Sequence, residues 1–131
     1  MIAHRKGMVI KMKEYRVVVA GCRNFADYAR LKAELSAYFL SLAPCTVIIV
    51  SGCAAGADAL GERYAAEHGL AIERFPADWE RYGRAAGPMR NRQMAKAADA
   101  VIVFWDGRSR GTKSMIECAK KENKPCKIVW L

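Results

Sequence analysis

Three glycine-rich segments have the composition of turns that bind an anion through backbone amides. Residues 21–24 read Gly-Cys-Arg-Asn, residues 51–58 read Ser-Gly-Cys-Ala-Ala-Gly-Ala-Asp, and residues 106–112 read Asp-Gly-Arg-Ser-Arg-Gly-Thr. Each segment follows an apolar run and precedes a predicted helix. Glycine lets a ligand approach the backbone closely, and the first amides of a helix are unpaired and attract negative charge. The segments therefore predict a site for phosphate or another anion.

The segment 106–112 carries the strongest of these signals. Gly107 and Gly111 can open a nest of N–H groups, and Thr112 can cap the following helix or donate to a phosphate oxygen. The alternative is an ordinary helix-starting turn with exposed arginines. The segment is not a Walker A loop, because the Gly-Lys-Ser/Thr ending is missing, and no GxGxxG motif follows the first predicted strand.

Arg90 is the best candidate for a side chain that binds phosphate or acts in catalysis. The segment 87–94 opens with Gly-Pro and predicts a helix from residue 88, so Arg90 is placed in the first turn. A cation there is mildly unfavourable to the helix dipole. An arginine in that position is better explained if it points at an anion, which a guanidinium can bind through two hydrogen bonds.

Asp58 and Trp79 each have two interpretations. A carboxylate in the first turn suits the helix dipole, but Asp58 could also accept a hydrogen bond from ribose hydroxyls or a base edge. Trp79 either covers a pocket or stacks on a base, or it packs against the protein. Neither Cys22 nor Cys53 has a base nearby in the predicted arrangement, which makes a catalytic thiol improbable.

Alternating apolar and amphipathic segments predict the fold. Five apolar runs predict strands at 16–20, 46–50, 70–75, 100–105 and 127–130, with helices at 27–42, 56–68, 88–98 and 112–123. Apolar strands that do not alternate indicate a sheet covered on both faces. Right-handed crossovers then favour an α/β, Rossmann-like, mostly parallel sheet of order 3-2-1-4-5. In such a sheet the three glycine-rich segments meet at the carboxyl edge, where ligands bind.

Length and composition fit one globular domain. The chain has 131 residues, of which 53% are hydrophobic and 27% charged, and this excludes a disordered chain, a collagen-like fibre and a disulfide-stapled mini-protein. We expect residues 15–131 to form the domain and residues 1–14 to be a tail or an extra edge element. Five cysteines without a CxxC pair indicate reduced thiols. We expect no metal and no cofactor, since only two histidines are present and no ligands cluster.

The start of the chain lacks the apolar stretch of a signal peptide, and no apolar run reaches the length of a membrane span. We therefore expect a cytoplasmic protein with no membrane partner.

Positive charge is concentrated in one quarter of the chain. The sequence has 22 Lys and Arg against 13 Asp and Glu, a net charge of +9. Residues 81–113 contain eight basic residues and two acidic residues, and this segment accounts for 8 − 2 = +6 of that charge. The charge indicates either a solvated basic face or a site for phosphate or another polyanion.

Five ordered motifs resemble the YspA/YpsA-related branch of the SLOG superfamily, over about residues 16–131. They are Gly21-x-Arg23; Ser51-Gly52-x-x-x-Gly56-Ala57-Asp58; Phe75-Pro76-Ala77-Asp78-Trp79; Gly87-Pro88-x-Arg90-Asn91-x-x-Met94; and, after Asp99, Phe104-Trp105-Asp106-Gly107-x-Ser109-x-Gly111-Thr112. The superfamily also includes the LOG phosphoribohydrolases and the DprA/Smf proteins.

The resemblance implies a Rossmann-like domain that binds a nucleotide or a nucleotide-derived ligand. The binding residues we expect are Gly21, Arg23, Ser51, Gly52, Gly56, Ala57, Asp58, Arg90, Asn91, Asp106, Gly107, Ser109, Gly111 and Thr112.

The catalytic pair of the LOG enzymes is only half present. Those enzymes use an Arg on one helix and a Glu just after a Gly-Gly-x-Gly-Thr turn. Arg90 matches the Arg, but Met115 stands where the Glu would be, and Glu117 lies two residues further, about 200° away around the helix. Asp58 or Asp106 could supply a carboxylate instead.

Three functions follow as expectations. The first is binding of a phosphorylated nucleotide, of the ADP-ribose or nucleoside-phosphate type, by a sensor or processing domain. The second is a phosphoribohydrolase that cleaves the N-glycosidic bond of nucleoside 5′-monophosphates. The third is DprA-like nucleic-acid binding, which is weakened because Tyr82 is the only aromatic residue of the segment 81–113 outside the predicted strand 100–105. Self-association into a homo-oligomer is compatible with any of them.

Overall fold

The computed structural model describes residues 2–5 and 8–131, with side chains from residue 12 onwards. Strands β1 (Ile2–Arg5) and β2 (Met8–Lys11) pair antiparallel in a two-stranded sheet of their own. The expected tail or edge element at residues 1–14 includes Met1, Lys6 and Gly7, which lie outside the described residues.

The main sheet has five parallel strands. They are β3 (Glu14–Gly21), β4 (Thr46–Ser51), β5 (Ala71–Arg74), β6 (Ala100–Trp105) and β7 (Cys126–Trp130). Their order is β5-β4-β3-β6-β7, with β3 in the centre. Counted from β3, this is the order 3-2-1-4-5, so the predicted Rossmann-like topology is confirmed.

Helices cover both faces of this sheet. They are α1 (Tyr28–Leu40), α2 (Ala57–Glu67), α3 (Trp79–Tyr82), α4 (Ala86–Ala97) and α5 (Arg110–Lys121). Val17 and Val19 of β3 belong to the core cluster that contains residues of α1 and α2, and Val18 and Ala20 belong to the cluster with α4 and α5. Alternate residues of the central strand thus hold the two layers in place.

Three features near the sheet's carboxyl edge differ from the predictions. Helix α5 begins at Arg110, two residues before the predicted start, and its N-cap is Ser109, whose hydroxyl accepts from the amide of Thr112. Of the two roles expected of Thr112, capping this helix is therefore wrong.

The short helix α3 was not predicted. Helix α4 begins at Ala86, two residues before the predicted start, and Pro88 is its third residue. Arg90 therefore lies in the second turn of α4, and the expectation that it opposes the helix dipole from the first turn is wrong.

No helix in the described part of the chain is long and apolar enough to cross a membrane.

Helix α2 approaches the central strand so closely that one position has no room for a side chain. A Cβ on Gly61 would lie 2.8 Å from Cγ1 and 2.9 Å from Cβ of Val19, which is itself fully buried.

Substitution of Gly61 with Ala should destabilise the protein, although Ala gains about 1 kcal/mol over Gly in a helix. Overpacking a core contact costs about 1–3 kcal/mol, so we expect a net loss of about 1 kcal/mol in the free energy of unfolding. Gly111→Ala is the matched control, because a Cβ there would meet nothing within 4 Å. Urea unfolding of both variants checks this, and equal stability of the two would contradict it.

Candidate functional site

A cleft of about 490 Å³ lies at the carboxyl ends of the central strands, and a cavity of about 300 Å³ adjoins it. We call these the first lobe and the second lobe. Both are lined by Arg23, Ala54, Trp79 and Arg90, which form the border between them. Nine of the fourteen expected binding residues line the first lobe: Gly21, Arg23, Asp58, Arg90, Asn91, Asp106, Ser109, Gly111 and Thr112. Gly52 lines the second.

Neutral oxygens fix the position of the Arg90 guanidinium. Nη1 donates a hydrogen bond to the carbonyl oxygen of Gly52, and Nε donates to Oδ1 of Asn91 at 3.0 Å. Burial lowers the pKa of Arg90, while the nearby Asp58 carboxylate opposes that change. An arginine remains protonated throughout the physiological range, so Arg90 presents a full positive charge at the border of the two lobes.

Asn91 connects Arg90 to the start of helix α5. This buried side chain accepts from Arg90 and donates through Nδ2 to the Gly111 carbonyl at 3.3 Å and to Ser114 Oγ at 3.2 Å. The guanidinium and the Gly111 turn therefore lie on the same cleft, as the sequence-based hypothesis requires.

The turn before α5 offers fewer free amides than expected. Asp106 Oδ1 accepts from the amides of Arg108 at 2.8 Å and Ser109 at 2.9 Å, and Ser109 Oγ accepts from the amide of Thr112 at 3.4 Å. Within the described chain, the amides of Arg110 and Gly111 have no acceptor. The predicted nest is thus reduced to two N–H groups at the positive end of the helix dipole.

Asp58 is the buried carboxylate of the cleft. Its side chain is 5% exposed, and Oδ2 accepts from the amide of Ala54 at 3.3 Å. Burial raises the pKa of Asp58, and the Ala54 amide and the Arg90 charge oppose this. A Cβ on Gly52 would lie 2.7 Å from Arg90 Nη1 and 2.9 Å from Asp58 Oδ2. Glycine at position 52 is therefore what allows both charged groups to sit against the same loop.

Two further ionisable groups of the first lobe, Asp106 and Cys22, have opposite pKa changes. Hydrogen bonds from the amides of Ser109 and Arg108 lower the pKa of Asp106. Burial raises the pKa of the Cys22 thiol, which favours the protonated, unreactive form.

Four of the expected binding residues line neither lobe. Ser51 is fully buried, Ala57 is buried with its amide donating to the Cys22 carbonyl at 3.2 Å, and Gly107 is exposed at a position where a Cβ would lie 3.5 Å from the Trp130 ring. Gly56 has φ +76°, and a Cβ there would come within 2.2 Å of the Cys22 carbonyl oxygen. These residues shape the loops.

Ser51 is held by a charged pair, Glu62 and Arg74, that no motif in the sequence indicated. Its hydroxyl donates to Glu62 Oε2 at 2.7 Å, and Glu62 also forms an ion pair with Arg74 at 2.9 Å. The three residues come from the ends of β4 and β5 and from α2, so no local spacing could have indicated the cluster.

Three polar residues that were not selected also line the first lobe: Asn24, Arg110 and Ser114. The first two fall inside the glycine-rich segments 21–24 and 106–112, so their placement could have been inferred. Met115 lines the same lobe, and Glu117 does not. No group of three His, Cys, Asp or Glu side chains that could hold a metal occurs in the part of the chain that the structure describes.

Comparison with known proteins supports the resemblance inferred from the motifs. A family model described as the YspA, cpYpsA-related SLOG family matches residues 15–82. The Gene 61 protein of Mycobacterium phage D29 is 35% identical over 116 residues, which cover 84% of this chain and 92% of the phage protein. The predicted family membership is confirmed.

A solved structure shares the fold. DNA processing protein A from Helicobacter pylori, known for a unique single-stranded DNA binding mode, matches with a TM-score of 0.61 at 22% identity. The match covers 87% of this chain and 64% of that one, so this chain spans less than two thirds of the Helicobacter protein.

The charge of Arg90 should be detectable in the titration of Asp58. Burial raises the pKa of Asp58 above its unfolded value, so the stability linked to this group falls as pH rises through the folded pKa. Arg90→Ala removes an opposing positive charge and should raise that pKa further, as measured by NMR titration of the carboxyl carbon. Arg92→Ala, an exposed position on the same helix, should leave it unchanged. An identical titration in wild type and Arg90→Ala would contradict the placement of the two groups.

Proposed function

The chain belongs to the YspA, cpYpsA-related SLOG family, and we propose that its cleft binds a nucleotide or another nucleotide-derived phosphorylated ligand, as a sensor or processing domain. One observation carries the proposal. The Arg90 guanidinium and the acceptor-free amides of Arg110 and Gly111 line the same cleft, and Asn91 bridges them. Guanidinium and helix N-terminal amides are the two groups that proteins use most directly for phosphate.

The balance of charge in the first lobe favours an anion. Arg23, Arg90 and Arg110 line it against two carboxylates, Asp58 and Asp106. None of the ion pairs within 4 Å in the described chain involves any of these three arginines. Their positive charge is therefore not neutralised by direct contact, and a phosphate would supply the missing counter-charge.

Ligand binding is better supported than N-glycosidic cleavage. The position that corresponds to the LOG glutamate is Met115, which is buried and lines the cleft. Asp106 is engaged by two backbone amides and Asp58 by one. Cleavage requires a carboxylate aimed at the developing positive charge on ribose, and neither aspartate is free of a structural hydrogen bond.

Single-stranded nucleic acid is the second candidate. It is motivated by the single-stranded DNA binding of the Helicobacter protein that shares this fold. It is also motivated by exposed basic side chains outside the cleft, such as Arg84, Arg92 and Lys96. Such binding would weaken steeply with salt, whereas a ligand held in the cleft should depend mainly on Arg90.

Calorimetric titration with AMP, ADP-ribose and NAD tests the proposal. We expect at least one of them to bind, and Arg90→Ala should weaken that binding about tenfold or more, because a charge-assisted hydrogen bond contributes about 1.5–3 kcal/mol. Arg92→Ala should bind like wild type, and thermal unfolding confirms that both variants fold.

Two results would count against the proposal. If none of AMP, ADP-ribose and NAD binds in the calorimetric titration, the proposal is wrong. Loss of binding in Arg92→Ala equal to that in Arg90→Ala, together with a steep dependence on salt and retention of a single-stranded oligonucleotide, would favour the nucleic-acid function instead.

A further inference from the structure

The second lobe differs from the first in its chemistry. Apart from the two border arginines, its lining consists of glycine, alanine, cysteine, proline and tryptophan residues: Gly52, Cys53, Ala54, Ala55, Pro76, Ala77 and Trp79. The first lobe is lined by asparagine, aspartate, serine and threonine side chains as well as arginine, beside apolar residues such as Met94 and Met115. The first lobe therefore offers more side-chain partners to sugar hydroxyls and phosphate oxygens, whereas the second offers few charged or polar side chains to a flat group.

Three backbone groups of the second lobe already have partners within the protein. The Gly52 carbonyl accepts from Arg90, the Cys53 amide donates to Ser51 Oγ at 3.1 Å, and the Ala54 amide donates to Asp58. Apart from the border arginines, none of the residues that line this lobe has a charged side chain, so Trp79 offers the largest side-chain surface to a bound group.

Trp79 provides an aromatic surface at the border of the two lobes. Its side chain lies in both cavities and is 50% exposed, and the edge of its six-membered ring lies 3.1 Å from the position of a Cβ on Gly87. The start of helix α4 therefore supports the ring. Half-exposed tryptophan beside a pair of arginines is the arrangement in which a nucleobase can stack while its phosphate is bound.

We propose that the second lobe is a base subsite, in which Trp79 stacks on the nucleobase of a ligand whose phosphate lies at Arg23 and Arg90. This rests on the proposed function and adds where the base goes and how it is recognised. Since stacking is tolerant of base identity, the site should separate nucleotides from sugar phosphates but hardly separate one purine from another.

The test compares three probes on one protein: AMP, GMP and ribose 5-phosphate, which has no base. Wild type should bind AMP and GMP within about fivefold of each other and at least about tenfold more tightly than ribose 5-phosphate, since stacking on an aromatic side chain contributes about 1–3 kcal/mol per base. Trp79→Ala should weaken AMP about tenfold, and Trp79→Phe should retain most of the affinity.

Substitutions that fill the second lobe distinguish the contribution of the base to the affinity from that of the phosphate. Ala77→Phe should weaken AMP about tenfold and leave ribose 5-phosphate within about twofold, because Ala77 lines only the second lobe. Ala55→Phe, from the exposed part of the same lobe, repeats the test if Ala77→Phe does not fold. Arg90→Ala should weaken all probes.

The outcomes distinguish the two proposals. If Arg90→Ala weakens AMP but Trp79→Ala and a lobe-filling variant do not, the base subsite is wrong and the phosphate site stands. Equal affinity of AMP and ribose 5-phosphate in wild type also overturns the subsite. If neither these probes nor ADP-ribose and NAD bind, or if Arg90→Ala has no effect on binding, the proposed function fails and the subsite fails with it.

Discussion

A guanidinium held by neutral oxygens is the interaction on which the site depends. Arg90 is fixed by the Gly52 carbonyl and the Asn91 amide oxygen, neither of which carries a charge. A carboxylate partner would have fixed it equally well but would have cancelled its charge. Burying a cation without full compensation costs free energy, and the lowered pKa of Arg90 expresses that cost. An anionic ligand would offset it, so the charge is kept available at the expense of some stability.

Close packing between loops is the second constraint. It gives two of the glycines a structural role in place of the ligand-binding role expected from the sequence. A Cβ on Gly21 would lie 2.3 Å from the Phe104 carbonyl oxygen, and one on Gly56 would meet the backbone of Cys22 and Arg23. The sequence suggested that small residues allow a ligand to approach. At Gly21 and Gly56 the group that approaches is the protein's own backbone, which brings the segments together closely enough to form one cleft.

The sequence predicted the parts of this structure that depend on periodicity and on general rules of α/β topology. Buried β-branched runs indicated the five parallel strands, and the carboxyl-edge rule brought Arg90 and Gly111 to one cleft. What it could not predict depends on contacts between distant residues. The Asn91–Gly111 bond spans 20 positions and the Arg90–Gly52 bond spans 38. Asp106 is a local exception, because an aspartate that accepts from amides two and three residues further on is a common turn, and its occupation of two amides of the predicted nest could have been inferred.

The hydrogen bonds of the two carboxylates in the cleft help to distinguish ligand binding from ligand cleavage. Asp106 is fixed by the amides that precede α5, and Asp58 is fixed by Ala54 within the loop that carries Gly52. Each acid thereby orients the turn next to it. Asp58 is also buried, which raises its pKa, and stabilising a positive charge on ribose needs a carboxylate that is free to face it. An arrangement in which the acids hold the loops and the arginines face the cavity favours retention of a phosphorylated ligand over its cleavage.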